Sequence, residues 1–111
     1  MTLKEIIGDK SGNLLSLCLS HQVKELYFFG SAAKGTFDDG KSDLDILVSI
    51  DLNDPVSRGE KLISFWDNME LLFNRKVDLL TEPSIKNPFL LSSINSSKVL
   101  VYDRRRQKIL I

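Results

Sequence analysis

The stretch Phe28 to Val48 reads F-F-G-S-A-A-K-G-T-F-D-D-G-K-S-D-L-D-I-L-V, and its punctuation decides the fold. An apolar run, Leu26-Tyr27-Phe28-Phe29, stops at Gly30-Ser31. A polar, glycine-spaced segment follows as far as Ser42, and Asp43-Leu44-Asp45 then leads into a second apolar run, Ile46-Leu47-Val48. Strand residues two apart share a face, with Cα atoms roughly 7 Å apart. A strand beginning at Asp43 therefore aims the carboxylates of Asp43 and Asp45 at one spot and Leu44 at the other face. Converging carboxylates repel and raise each other's proton affinity unless a cation lies between them. Oxygen ligands of this kind suit Mg2+, which takes one or two carboxylates and fills its other positions with water and phosphate oxygens.

Gly30-Ser31 supplies the other half of a phosphate site. Gly30 lacks a Cβ and lets a backbone N–H approach a ligand closely. A short helix over 31–35 would present free N–H groups and a favourable dipole to a phosphate. Ser31 adds a hydroxyl donor and Lys34 a positive charge. Each piece alone also has an ordinary reading. A lone D-x-D is commonplace, Asp or Ser before a strand is often turn chemistry, and Lys34 alone is a solvated charge. The signal lies in the order: apolar strand, G-S, short glycine-bounded segment, D-x-D, apolar strand.

That order resembles the signature of the minimal nucleotidyltransferases, a branch of the DNA polymerase β superfamily. Gly30, Ser31, Asp43 and Asp45 match it one for one, and Gly35 matches the glycine closing the short helix. Two departures stand out. Ala32 occupies a place where many members carry arginine, and the loop from Gly35 to Ser42 is about one residue longer than the commonest form.

The remainder of the chain supports this core. Thr2-Leu3-Lys4-Glu5 has capping-box spacing and predicts a short helix. Leu14, Leu15, Cys18 and Gln22 predict a helix from about 13 to 21. Cys18 reads as a buried structural thiol, and His21 as a residue at that helix's end. Asp54-Pro55 starts the longest helix, whose expected apolar face is Val56, Leu62, Ile63, Trp66, Met69 and Phe73, broken only by Glu70. Trp66 is accordingly expected in the core. Lys76 to Leu80 reads as a third strand. Asp78 within it is a metal ligand or an aspartate paired with Arg75 or Lys76. The resemblance supplies the former role, since the family's third carboxylate lies on the strand beside D-x-D. Phe89 to Ile94 predicts a further short helix and Lys98 to Tyr102 a last strand. The tail 103–111, with Arg104, Arg105 and Arg106, is expected to be a solvated end.

Composition bounds what the chain can do. Its 111 residues suit one domain, 1–111, with a core from about 13 to 102. Fifteen basic and fifteen acidic residues cancel, so no global field draws in nucleic acid. One cysteine excludes an internal disulfide, and a single histidine excludes Cys/His metal clusters. No signal peptide or membrane-spanning run is read, and a cytoplasmic protein is expected.

The expected fold is α/β: a small mixed sheet of about four strands with helices mainly on one face. The resemblance implies transfer of a nucleoside monophosphate, AMP from ATP, to a hydroxyl. Two Mg2+ ions would be held by Asp43, Asp45 and Asp78, and the triphosphate by Gly30, Ser31 and Lys34. It further implies an antitoxin-like protein whose acceptor lies on a helical HEPN-domain partner. Two other classes remain open: a binding module that silences such a partner by docking alone, and a homo-oligomeric or two-subunit enzyme acting on a small molecule or RNA end.

Overall fold

The structure, a computed structural model, describes residues 1–111. Ten elements follow in order: α1 (Leu3–Ile7), α2 (Ser11–Ser20), β1 (Val23–Phe29), α3 (Ser31–Lys34), β2 (Leu44–Ile50), α4 (Pro55–Phe73), β3 (Val77–Leu80), α5 (Pro88–Ser97), β4 (Val99–Asp103) and β5 (Lys108–Ile109). The sheet has the order β3-β2-β1-β4-β5. Only β2 and β3 run parallel, and the other neighbours are antiparallel. The expected mixed sheet is present, with five strands rather than four. The fifth comes from the tail. A turn through Arg104–Arg106 returns Lys108 and Ile109 to β4, and Ile109 packs against the core. Ile109 and Leu110 give the tail apolar surface to bury, which a purely basic end would lack.

Local signals end the helices where the sequence places them. Thr2 and Glu5 close a reciprocal capping box on α1. The Asp54 side chain accepts from the Ser57 N–H at 3.0 Å, Pro55 takes the first position of α4, and Asn74 ends it in the left-handed region.

On β2, Leu44, Ile46, Val48 and Ile50 join the core cluster, and alternation sends Asp45, Leu47 and Ser49 to the opposite face. The core face also gathers Leu14 and Cys18 of α2, Leu26 and Phe28 of β1, Ala32, and Phe65, Met69 and Phe73 of α4. Burial pushes the Cys18 thiol up to about 12, in keeping with a structural role. His21 is buried too, its Nε2 2.8 Å from the Ser64 hydroxyl and its Nδ1 2.9 Å from the Leu17 carbonyl. No helix is long and apolar enough to cross a membrane.

The inward face of α4 differs from the expected one. Phe65, Met69 and Phe73, spaced by four, are buried, whereas Ile63 is 62% exposed and Trp66 40% exposed. The apolar residues of α4 exceed the width of one stripe, so periodicity alone left two faces in competition. Packing against the sheet selects the Phe65 face. Phe65→Ala should therefore cost about 3–5 kcal/mol in urea unfolding. Trp66→Ala should cost less, about 1–2 kcal/mol for one hydrogen bond and partial burial. Equal losses in the two variants would contradict this orientation.

Candidate functional site

Parallel pairing of β2 with β3 sets Asp45 directly beside Asp78, and Phe29 lies across from Asp45 on β1. Asp45 and Asp78, two of the three sequence-predicted carboxylates, thus stand side by side on the sheet face away from the main core. Asp43 stands just outside the ladder rather than opening it, since β2 begins at Leu44, whose N–H donates to the Lys76 carbonyl at 3.1 Å. Its carboxylate is nevertheless within the same field. The Lys76 ammonium lies 3.8 Å from Asp43 Oδ2 and 3.9 Å from Asp78 Oδ1, bridging the two. Asp78 is half-exposed rather than buried. The alternative partner Lys76 is therefore also at hand, while Arg75 points elsewhere.

The electrostatics of this cluster are those of crowded like charges. Partial burial pushes the Asp45 carboxyl up to about 6, and the charges of Asp78 and then Asp43 add to the shift. Gly30 packs against the same carboxyl. It holds φ +65°, and a Cβ there would collide with Asp45 Oδ2 and lie 3.2 Å from its Cγ. The glycine thus gives room to a carboxylate as well as to any ligand. No three acidic, histidine or cysteine side chains are close enough to form a ready-made metal cage. Asp45 and Asp78 lie side by side on the ladder, and Lys76 bridges Asp43 and Asp78. The donors still fit Mg2+: they are all oxygen, they flank a side chain with room made for it, and their charges raise Asp45's proton affinity.

Ser31 opens α3, a single turn closed by Gly35 at φ +76°. Lys34 N–H bonds the Gly30 carbonyl, and the N–H groups of residues 31–33 have no backbone acceptor. The Ser31 hydroxyl is partly exposed beside them and Lys34 is exposed at the far end of the turn. Ala32 faces inward and is 1% exposed, so the residue after G-S here packs the core.

Four residues near the site take roles that the sequence reading gave only in part. The Trp66 indole N–H donates to the Val77 carbonyl at 2.6 Å, and Glu70 accepts from the Val77 N–H at 2.9 Å. Both groups of Val77 on the outer edge of β3 are thereby satisfied by α4. Trp66 lines an open groove with Phe29, Asp45, Asp78 and Leu80 instead of entering the core. Arg75 and Lys76 follow directly on the helix cap. Glu70 shows in the sequence as a charge interrupting an apolar stripe. Arg75 and Lys76 show there as candidate partners of Asp78, of which Lys76 is the one that meets it.

Linkage gives the Asp45 shift a sign. Its folded value of about 6 exceeds the usual 3.8, so the folded state binds more protons between those values and stability falls as pH rises through them. Asp45→Asn removes that penalty. In metal-free buffer its melting temperature should match the parent's near pH 4 and exceed it above about pH 7, the difference opening between. A difference independent of pH would mean that Asp45 is not crowded.

The chain is similar to several known proteins. The nucleotidyltransferase domain family matches residues 12–101. Two proteins of Methanocaldococcus jannaschii, each bearing the name "putative protein adenylyltransferase", are similar along nearly the whole chain. One is 37% identical over 98 residues, covering 88% of this chain and 86% of its own. The other is 37% identical over 99 residues, covering 89% and 94%. Among solved structures, a minimal nucleotidyltransferase superposes with a TM-score of 0.63 at 26% identity, covering 89% of this chain and 95% of that one. A chain of a toxin–antitoxin complex with AMP-PNP shares the fold, with a TM-score of 0.58 at 21% identity over 86% of this chain and 76% of that one. A glycine-serine turn facing side-by-side strand aspartates, within a matching domain of this extent, makes the chain a member of the nucleotidyltransferase domain family.

Proposed function

We propose that this nucleotidyltransferase moves AMP from ATP to a hydroxyl group on a partner protein. The observation that carries the reading is Asp45 paired in register with Asp78, with Asp43 and the Gly30–Ser31 turn alongside. The names of the Methanocaldococcus relatives support adenylyl transfer to protein. Their likeness extends over nearly the whole chain, the candidate site included.

Asp43 and Asp45 would hold two Mg2+ ions and Asp78 one of them, and the bound metal would offset the charge of the triphosphate and of the attacking and leaving oxygens. The chain's own groups do the rest. The free N–H groups of residues 31–33 and the Ser31 hydroxyl donate to β- and γ-phosphate oxygens, and Lys34 adds a cation at the end of the turn. Asp78, half-exposed at the mouth of the groove, takes the acceptor's proton. The acceptor oxygen then bonds to the α-phosphorus, the bond from that phosphorus to the bridging oxygen breaks, and pyrophosphate leaves. The partner we assign is a HEPN-domain protein, because the same fold occurs in a complex between a tri-AMPylated HEPN toxin and an MNT antitoxin, at a TM-score of 0.50. A second reading, silencing by docking alone, draws on Ala32. That residue stands where many members of the family carry arginine, and its side chain is buried in the core.

Two measurements test these roles. Mg2+ with ATP at a hundred times its dissociation constant should stabilise the parent by about 2.7 kcal/mol. The Asp43→Asn, Asp45→Asn double variant should show no such rise, and an equal rise would remove both residues from the site. For catalysis, Asp78→Asn should still bind ATP but transfer AMP to a co-expressed HEPN partner roughly 10²–10⁴-fold more slowly, read by mass spectrometry of the partner. A partner silenced fully yet unmodified by Asp78→Asn would favour docking instead.

A further inference from the structure

The segment between α3 and β2 is a closed loop. The Asp38 N–H donates to the Ser42 hydroxyl at 2.9 Å, and the Ser42 N–H returns to the Asp38 carbonyl at 2.8 Å. The Gly40 N–H donates to Asp38 Oδ1 at 3.0 Å, and Phe37, 3% exposed, anchors the loop in the core. Arg75 closes it from outside, 33 residues away in sequence. One arm of its guanidinium donates to the Ser42 carbonyl at 3.0 Å, and the other pairs with Asp39. The guanidinium carbon lies 4.6 Å from the centre of the Phe37 ring. The Arg75 side chain is only 16% exposed, so its bond to Ser42 is shielded from competing water.

The Ser42 carbonyl belongs to the peptide that ends in the Asp43 nitrogen. Asp43 itself has no ladder hydrogen bond to orient it, because pairing with β3 starts one residue later, at Leu44. The plane of the Ser42–Asp43 peptide therefore fixes the direction from which the Asp43 side chain leaves the backbone, and Arg75 holds that plane by its oxygen. Arg75 also stands three residues before Asp78, in the bend between α4 and β3, its own N–H bonded to the Glu70 carbonyl at 3.3 Å. One residue thus ties the loop bearing the first carboxylate to the strand bearing the third.

We propose that Arg75 is a positioning residue that sets the Asp43 carboxylate for binding of the metal–nucleotide complex. The inference rests on the metal-binding reading above. A fork is needed: a lysine ammonium is a point charge that can reach Ser42 or stack on Phe37 but cannot hold Ser42 and Asp39 together over the ring.

The test is Mn2+ binding in the presence of ATP, measured by electron paramagnetic resonance, alongside melting temperature and AMP transfer. Arg75→Met keeps the apolar stem and should weaken Mn2+ binding roughly 10–100-fold, with transfer falling in step, as for lost partners of metal ligands. Arg75→Lys should recover part of both. Asp39→Asn, which removes the charge held by the second arm of the fork, should fall between the parent and Arg75→Met. Met69→Ala serves as a control for stability alone, since it loosens the core without touching the loop. Parent-like Mn2+ affinity in folded Arg75→Met, or an equal loss in Met69→Ala, would overturn the proposal. Asp43→Asn separates the two levels: if it too binds Mn2+ normally, the metal-binding reading itself fails. If it alone loses Mn2+, only the role of Arg75 does.

Discussion

Two aspartates side by side on hydrogen-bonded parallel strands are an unfavourable arrangement, and the rest of this structure serves to impose it. Asp45 and Asp78 repel, and the raised proton affinity of Asp45 reflects its partial burial first and the neighbouring charge of Asp78 next. Nothing local to β3, four residues long, could hold Asp78 there against that repulsion. The pairing is enforced from the core face. Leu44, Ile46, Val48 and Val77 are buried together beneath the site, and a one-residue slip would turn each of them outward. Apolar burial on one face thus fixes the register that charge on the other face resists.

The long helix α4 makes the parallel pairing possible, since a strand can return beside its predecessor in the same direction only through a crossover. It does more than connect. Trp66 and Glu70 take up both outward backbone groups of Val77, and so pin the start of β3 from the side where the sheet has no further strand. Gly30, on the other flank, leaves the space that Asp45 fills. The carboxylates are therefore held by backbone constraint on three sides, which lets them keep a charged arrangement that flexible side chains would relax.

The three acids are not held alike. Asp45 and Asp78 sit within the ladder, whereas Asp43 comes at the end of a loop stabilised by its own turn bonds and by Arg75. Lys76 spans the outer two at just under 4 Å. Such exposed pairs contribute little to stability, so Lys76 is free to yield to a stronger cation. Asp45 and Asp78 are thus fixed by the ladder and Asp43 by the loop, so the two parts of the cluster are held independently.

Much of this was legible in the sequence. The order strand, G-S, glycine-bounded turn, D-x-D, strand is a local pattern, set by residues adjacent along the chain, and it predicted β1, α3 and β2 and the candidate residues on them. Helix caps were legible for the same reason: Thr2 and Asp54 act on neighbours within a few positions. Asp78 was legible as a charge in an apolar strand, and the resemblance set it beside D-x-D. Its register opposite Asp45 was not legible, because that depends on residues more than 30 apart. The face of α4 was misread at Trp66, since the helix carries more apolar residues than one face can bury and only the sheet's shape selects Phe65, Met69 and Phe73. The fifth strand was missed because a basic turn hid two apolar residues whose partners lie on β4 and in the core. Sequence determined which groups are present and their local geometry. Only the tertiary structure decided which distant groups meet, because that depends on the burial of apolar surface that no local pattern records.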